Sequence, residues 1–189
     1  MIREIVIWLQ PLIEWFAKIR IPYSKKRITG KEYYKMRDEI KPGAVLLTSV
    51  CGELSNLINP SDYKHGAVYV GGDKVKYVIE ATSKGVIKTD LVTFMLTKDK
   101  IRVYDPLLST EMRQMAVSAA PYHIGTPYDF AFDLKNERFY CFEFIANLFE
   151  TYSEMKGLKK SCFLGYDVYD SSVITDDPKN FNLRYSWGE

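Results

Sequence analysis

The stretch KHGAVYVGGDKVKYVIEA, Lys64 to Ala81, holds two runs of β-forming residues, Gly66–Val70 and Val75–Ile79, on either side of Gly71-Gly72-Asp73-Lys74. Valine, tyrosine and isoleucine suit a pleated, half-buried surface, and the glycines and aspartate between them favour a tight reversal. The stretch predicts a β-hairpin with a four-residue loop. Pairing Val70 with Val75 sets Val68 opposite Tyr77, Gly66 opposite Ile79 and His65 opposite Glu80. Alternation then gives Val68, Val70, Val75, Tyr77 and Ile79 one apolar face and puts His65 and Glu80 together on the other. Directly opposed Cβ atoms lie about 4.5–5.5 Å apart, within reach of an imidazole–carboxylate hydrogen bond. A bulge would shift this register.

Working outward, KPGAVLLTSV predicts a turn and a strand over Ala44–Thr48, and further strands are expected around Val86–Lys88 and Ile101–Tyr104. These make an antiparallel sheet of about five strands. A short helix is expected over Lys31–Glu39. Ser109 or Thr110 can cap another, with Met112, Met115, Ala116 and Ala119 on its inner face. SVCGELSNLINPSDY is a loop or short helix, and GTPYDFAFDLKNERFY is a loop punctuated by Gly125 and Pro127. YCFEFIANLFETYSEMKGL is a strong helix ended by Gly157. Strands followed by helices define an α+β fold.

The chain of 189 residues is long enough for one domain with a proper core. A formal net charge of +2 excludes a dedicated polyanion binder, so no nucleic-acid partner is expected. Cys51, Cys141 and Cys162 are too few and too scattered for a disulfide framework, which suits a reduced, cytoplasmic setting. Residues 1–40 form an N-terminal arm ahead of a domain over 41–189. In the arm, Ile5, Trp8, Leu9, Leu12, Trp15, Phe16 and Ile19 recur at helical spacing, but Glu4, Gln10, Pro11, Glu14 and Lys18 interrupt any membrane span. Neither a basic start nor a small-residue cleavage site marks a signal peptide. The stripe suits packing on its own domain or a second copy of the chain. The alternative is a helix in the plane of a membrane surface, with Lys25-Lys26-Arg27 near the headgroups.

The strong helix carries a candidate nucleophile. Cys141, Phe144, Ile145, Leu148 and Tyr152 share one helical face, and Cys141 falls near the helix start, where free N–H groups and the dipole favour an anion. Such a site, like a neighbouring imidazolium, lowers a thiol pKa, and the Cys141 N–H can donate to a developing oxyanion. A lone cysteine in an apolar stripe is otherwise a core residue. What singles Cys141 out is its combination with an opposed His65–Glu80 pair, which supplies nucleophile, base and orienter. Cys51 and Cys162 have no such partners and read as structural. Asp129 and Asp133 read as polar loop residues, and His123 as a helix C-terminal cap or dipole partner.

In this order, KPGAVLLT, HGAVYV, VIEATSKGV and GTPYDFAFDLKNERFYCFEFI resemble the circularly permuted NlpC-type papain-like cysteine hydrolases, the YiiX-like group. Lecithin:retinol acyltransferases look like more distant relatives. The resemblance covers roughly residues 40–175. It implies a papain-like fold and the order histidine, polar residue, cysteine, roles that His65, Glu80 and Cys141 match. It also implies an active-site tyrosine in a G-x-P-Y segment, here Tyr128; the bland alternative is a loop tyrosine anchoring the sheet edge. Two positions depart from the pattern. Phe142 stands where relatives often carry Ser or Thr, and Lys64 where they often carry Ser before the histidine.

The expected activity is thiol-dependent hydrolysis of an amide or ester acyl group, with no cofactor and no metal. The resemblance implies either a cell-wall peptide amide or a lipid-like acyl substrate, and the tryptophan-bearing arm tilts the expectation towards the latter. Two rival readings share the fold: a non-catalytic ligand-binding module, favoured only by Phe142, and an acyltransferase with the same triad.

Overall fold

The computed structural model describes residues 28–50, 62–163 and 165–188, together with Trp8, Leu9, Leu12 and Trp15 of the arm. Cys51, the expected loop or short helix after it and the rest of the arm's apolar stripe lie outside the described residues. The strands are β1 (Val45–Ser49), β2 (His65–Gly71), β3 (Tyr77–Thr82), β4 (Gly85–Asp90), β5 (Lys100–Pro106), β6 (Ser161–Phe163), β7 (Tyr166–Val168) and β8 (Phe181–Trp187). Over the described residues from 28 onward the α-helices are α1 (Gly30–Glu39), α2 (Leu91–Leu96), α3 (Thr110–Ala119), α4 (Cys141–Tyr152) and α5 (Ser172–Thr175), with a 3-10 turn over Ala120–His123. Six strands form one sheet in the order β4-β3-β2-β1-β5-β8, each neighbouring pair antiparallel, while β6 and β7 make a separate hairpin. The α+β class expected from the sequence is the class observed. The sixth strand, β8, escaped the sequence reading because it is an edge strand with little apolar alternation: Asn182, Leu183 and Arg184 are exposed in succession.

The deciding hairpin forms, but not in the predicted register. Ala67 faces Glu80, Val68 faces Ile79 and Tyr69 faces Val78; beyond these, Gly71 faces Tyr77, leaving Val70 as the extra residue of a bulge. Gly71 and Gly72 take φ values of 82° and 133°, which side chains with a Cβ rarely adopt. The strand therefore runs through Gly71, and Val75 falls in the turn, exposed. The pairing of His65 with Glu80 and of Val70 with Val75 is corrected accordingly. Because the slip from the predicted pairing is an even number of residues, the strand residues keep their faces.

Those faces sort the core into two layers. On one, Val45, Leu47, Val68, Ile79, Ala81 and Val86 pack with Ala116 of α3 and with Phe144, Ile145, Leu148 and Phe149 of α4. On the other, Leu46, Ala67, Tyr69 and Val78 pack with Met36 of α1 and with Leu91, Phe94 and Met95 of α2. Ser109 caps α3 by accepting the Met112 N–H at 3.2 Å, as predicted. Its inner face differs: Ala116, Val117 and Ala119 are buried, while Met115 is 53% exposed. Small residues, rather than long methionines, thus face the core where α3 lies. The helix α4 stops at Tyr152, before the predicted Gly157, because Ser153 leaves helical geometry and its N–H and hydroxyl both bond the Phe149 carbonyl. Among the described residues no helix is long and apolar enough to cross a membrane.

One contact fixes how closely α4 approaches the sheet. A Cβ on Gly66 of β2 would lie 2.6 Å from Ile145 Cδ1 and 3.2 Å from Phe142 Cε1. Gly66→Ala should therefore force α4 outward and cost about 1–3 kcal/mol, the usual range for overpacking. Equilibrium urea unfolding measures it; an unchanged midpoint would mean that the helix accommodates a methyl group freely.

Candidate active site

His65 opens β2 on the sheet face that carries Ala67 and Tyr69, so its ring lies on the α1/α2 side, 6.1 Å from the Phe94 ring. Glu80 shares that face on β3, buried. It is a diagonal rather than a direct neighbour of His65, and the long side chains close the gap: Nε2 of His65 lies 2.6 Å from Oε2 of Glu80. Side-chain exposures of 21% for the histidine and 8% for the glutamate leave the ion pair only lightly screened. Burial works against an imidazolium here, yet hydrogen bonds to the Cys141 thiol and the Glu80 carboxylate outweigh it and hold the His65 pKa up at about 9. Burial likewise works against the Glu80 anion. The His65 bond and charge, the Thr89 hydroxyl and the Lys98 charge overcome it, so Glu80 sits below the usual glutamate range.

Cys141 is the first residue of α4, buried, with its Sγ 3.9 Å from the Lys64 carbonyl oxygen. The three residues singled out in the sequence thus converge: the cysteine from the α3/α4 side, the histidine and glutamate from the α1/α2 side, meeting where β2 begins. The helix start is shaped by its own residues. The Glu143 carboxylate accepts the Tyr140 N–H at 3.3 Å, half of a capping box, and the Tyr140 hydroxyl accepts the Tyr169 N–H at 2.6 Å. Phe142 packs under Gly66, so the departure from a hydroxyl residue falls in the core. The Lys64 backbone flanks the thiol, and partial burial lowers its ammonium pKa.

The loop ahead of Cys141 is held by Asp129, whose buried carboxylate accepts the N–H groups of Ala131 and Asp133. This explains Asp129 as a loop brace, as its polar-loop reading anticipated. Between those two N–H groups Phe132 adopts a φ of 51°, uncommon for a bulky residue, and its ring packs tilted against Tyr140, centroids 4.8 Å apart. Tyr128 bridges Phe139 across the same loop and lies within electrostatic reach of Cys141; burial first, then the charge of Cys141, pushes its phenol well above its ordinary pKa. His123 ends the 3-10 turn Ala120–His123 that follows α3, a basic residue in a last turn as the dipole-partner reading expected, while its Nε2 makes no cap hydrogen bond. Its ring lies edge-on to Phe139, Phe144 and Tyr152 with Nε2 buried, and burial lowers its pKa. Cys162 is exposed on β6.

A polar cavity of about 600 Å³ flanks α4, with Glu143, Asn147 and Glu150 of the helix facing His123, Phe139 and Tyr169. Cys141 and His65 are not in its wall. Burial, with added repulsion from Asp129 and Asp133, raises the Glu143 pKa to about 8.

Sequence reasoning missed three groups around the pair. Thr89 donates its hydroxyl to Oε1 of Glu80 at 2.5 Å, Phe94 packs against the imidazole, and Lys98 adds its charge from just beyond α2. A signal for Thr89 existed. The tight turn at Ser83-Lys84 pairs Thr82 with Gly85, which puts Thr89 opposite Val78 and on the Glu80 face.

A sheet strand carrying histidine, a neighbouring strand carrying its carboxylate and a cysteine heading a packed helix define a papain-like architecture, here with the histidine strand earlier in the chain than the cysteine helix. The chain belongs to the permuted papain-like amidase family, YaeF/YiiX or C92, which matches residues 39–179. Protein OPG091 of vaccinia virus (strain Western Reserve) is 28% identical over 137 residues, 71% of this chain and 79% of its own length. The uncharacterized protein YiiX of Escherichia coli K12 is 30% identical over 122 residues, 62% of this chain and 59% of its own. The crystal structure of the metalloprotein YiiX from Escherichia coli O157:H7 superposes with a TM-score of 0.56 at 26% identity, covering 64% of this chain and 71% of that one. Whatever metal that relative holds, among the described residues here no three His, Cys, Asp or Glu side chains converge as a ligand set.

The site makes a substrate-free prediction. The chain has only two histidines, so imidazole resonances report each separately. His65 should titrate near 9 and His123 below the ordinary value of 6.5. Because the folded pKa of His65 is raised, its contribution to stability is fully present below 6.5 and is lost as the pH climbs through about 9. An NMR titration showing His65 near 6.5 would contradict the buried pair.

Proposed function

We propose that this protein hydrolyses an amide or ester acyl bond through a covalent thioester on Cys141, with His65 as proton carrier and Glu80 as its orienter. The observation that carries the reading is the 2.6 Å contact between His65 Nε2 and the buried Glu80 carboxylate, which leaves the other edge of the ring for the Cys141 thiol. The thiol proton is already held by His65 as an imidazolium before attack, and the sulfur adds to the substrate carbonyl as a thiolate. The tetrahedral oxyanion is met by the Cys141 N–H at the helix start, a backbone donor with no partner inside its own helix. Collapse expels the amine or alcohol, which takes its proton from His65, and leaves the acyl group on sulfur. Water, deprotonated by His65, then releases the acid and restores the thiolate. Tyr128, beside Cys141 in the preceding loop, would position the substrate carbonyl.

The family's description as amidases supports an amide substrate such as a cell-wall peptide. The exposed Trp8, Leu12 and Trp15 support the second reading, a lipid-like acyl compound met at a membrane surface. Assays of the full chain on cell-wall peptides and on an acyl-ester lipid distinguish the two, and analysis of products with and without an alcohol or amine acceptor distinguishes hydrolysis from acyl transfer. The alternative, a non-catalytic binding module, is favoured only by Phe142, and the packing of Phe142 against Gly66 in the core supports the hydrolase reading over it.

Cys141→Ala should abolish turnover while costing only about 1 kcal/mol of stability; retained turnover ends the nucleophile assignment. Glu80→Gln should be milder than His65→Ala, because an amide oxygen still accepts the imidazole N–H but offers no charge. Equal losses would give Glu80 a larger role than orientation.

At about pH 6, iodoacetamide should label Cys141 faster than the exposed Cys162, despite the burial of Cys141, and the advantage should shrink in His65→Ala. Peptide mass spectrometry of labelling rates reads this on the native protein. If the order is reversed in the wild type, Cys141 is a core cysteine.

A further inference from the structure

We infer that Thr89 is a positioning residue for this site, a fourth member that fixes the orientation and charge of Glu80 from the edge strand β4. The inference rests on the hydrolase reading above and deepens it. The three strands β2, β3 and β4 each contribute one side chain to a single chain of hydrogen bonds, His65 to Glu80 to Thr89.

A carboxylate has two oxygens, and a buried one left bare costs free energy and leaves the group free to turn. Oε2 of Glu80 is committed to His65. Oε1 takes the Thr89 hydroxyl, placed diagonally because Thr89 stands opposite Val78 and Glu80 opposite Ile87. A hydroxyl is suited to this place for two reasons. It donates to the anion without adding a second charge that would compete with the imidazolium. Mounted on a β-branched side chain in a strand, it also has few rotamers to lose.

The charged groups that act on the pair come from each element around it: Cys141 of α4 on the histidine side, and Lys98, beyond α2, on both histidine and glutamate. Lys98 opposes the imidazolium and favours the carboxylate, so its net effect on the pair is divided. Thr89 acts on the carboxylate alone. Removing its hydroxyl makes Glu80 more basic but leaves the carboxylate free to turn off the imidazole, and the loosened ion pair lowers the proton affinity of His65.

The isosteric Thr89→Val removes the donor and keeps the shape, while Thr89→Ser keeps the donor and removes a methyl group. In the full chain, the His65 NMR titration midpoint should fall by roughly half a unit or more in Thr89→Val and return in Thr89→Ser. The midpoint of His123, in its separate aromatic surroundings, should not move in either variant. On whichever substrate the wild type turns over, Thr89→Val should lower kcat about tenfold, the worth of one charge-assisted hydrogen bond, and bring the alkaline limb of the pH profile to lower pH. A merely structural threonine would change the unfolding midpoint without moving either limb or His65. If Thr89→Val does not fold, Thr89→Ala makes the same test with space to spare. A wild-type His65 midpoint near 9 that stays put in Thr89→Val and Thr89→Ala overturns the inference and leaves the hydrolase reading standing. Turnover retained in Cys141→Ala overturns that reading, and the inference with it.

Discussion

The closeness of α4 to β2 at Gly66 is the constraint on which the site depends. A strand and a helix pack at a distance set by the side chains between them, and here one of those side chains is absent. Ile145 and Phe142 fill the space a Cβ would take. This brings the first turn of α4 against the start of β2, so Cys141 Sγ comes within 3.9 Å of the backbone just before His65. The rest of α4 is apolar enough to hold that approach: Phe144, Ile145, Leu148 and Phe149 are fully buried. The nucleophile is thus placed by packing, with its position decided several residues away from the chemistry.

Electrostatics then decide what state the converged groups take. Glu80 is deep enough that burial alone would neutralise it, and His65 is shielded enough that burial alone would strip its proton. Neither happens because each supplies the opposite charge the other lacks, and Thr89 satisfies the remaining oxygen. The same desolvation outweighs the single Tyr140 N–H a short way along α4, where Glu143 has acidic neighbours in place of a cation and is raised to about 8. Two buried glutamates in one domain therefore move in opposite directions, and the difference lies in their partners.

Much of this was legible from the chain. Hydrophobic alternation located five strands of the main sheet, helical spacing located α4, and the convergence of Cys141, His65 and Glu80 followed from a hairpin and a helix start. The register was not legible, because a bulge at Val70 depends on the left-handed backbone of Gly71, which a run of β-formers conceals. The even shift undid the direct pairing of His65 with Glu80 but spared their side-chain contact, through parity and long side chains. The strand β8 went unseen because an edge strand buries little and needs little alternation. The aromatic surroundings of His123, unlike its place at a helix end, were not legible, because Phe139, Phe144 and Tyr152 come from a loop and a helix distant in sequence.

The site joins two cores. His65, Glu80 and Thr89 belong to the sheet face covered by α1 and α2, whereas Cys141 belongs to the helix on the opposite face, and each layer has its own apolar cluster. Elements in a native protein open in cooperative units of unequal stability, below the threshold of global unfolding. The α1/α2 layer is the smaller: α2 is six residues long and α1 buries one side chain, Met36. A fluctuation that lifts this layer removes Phe94 from the imidazole and admits water to the His65–Glu80 pair, while α4 stays docked. The nucleophile and its base are thus carried by two different layers of the molecule, and the base rests on the one with the smaller apolar cluster.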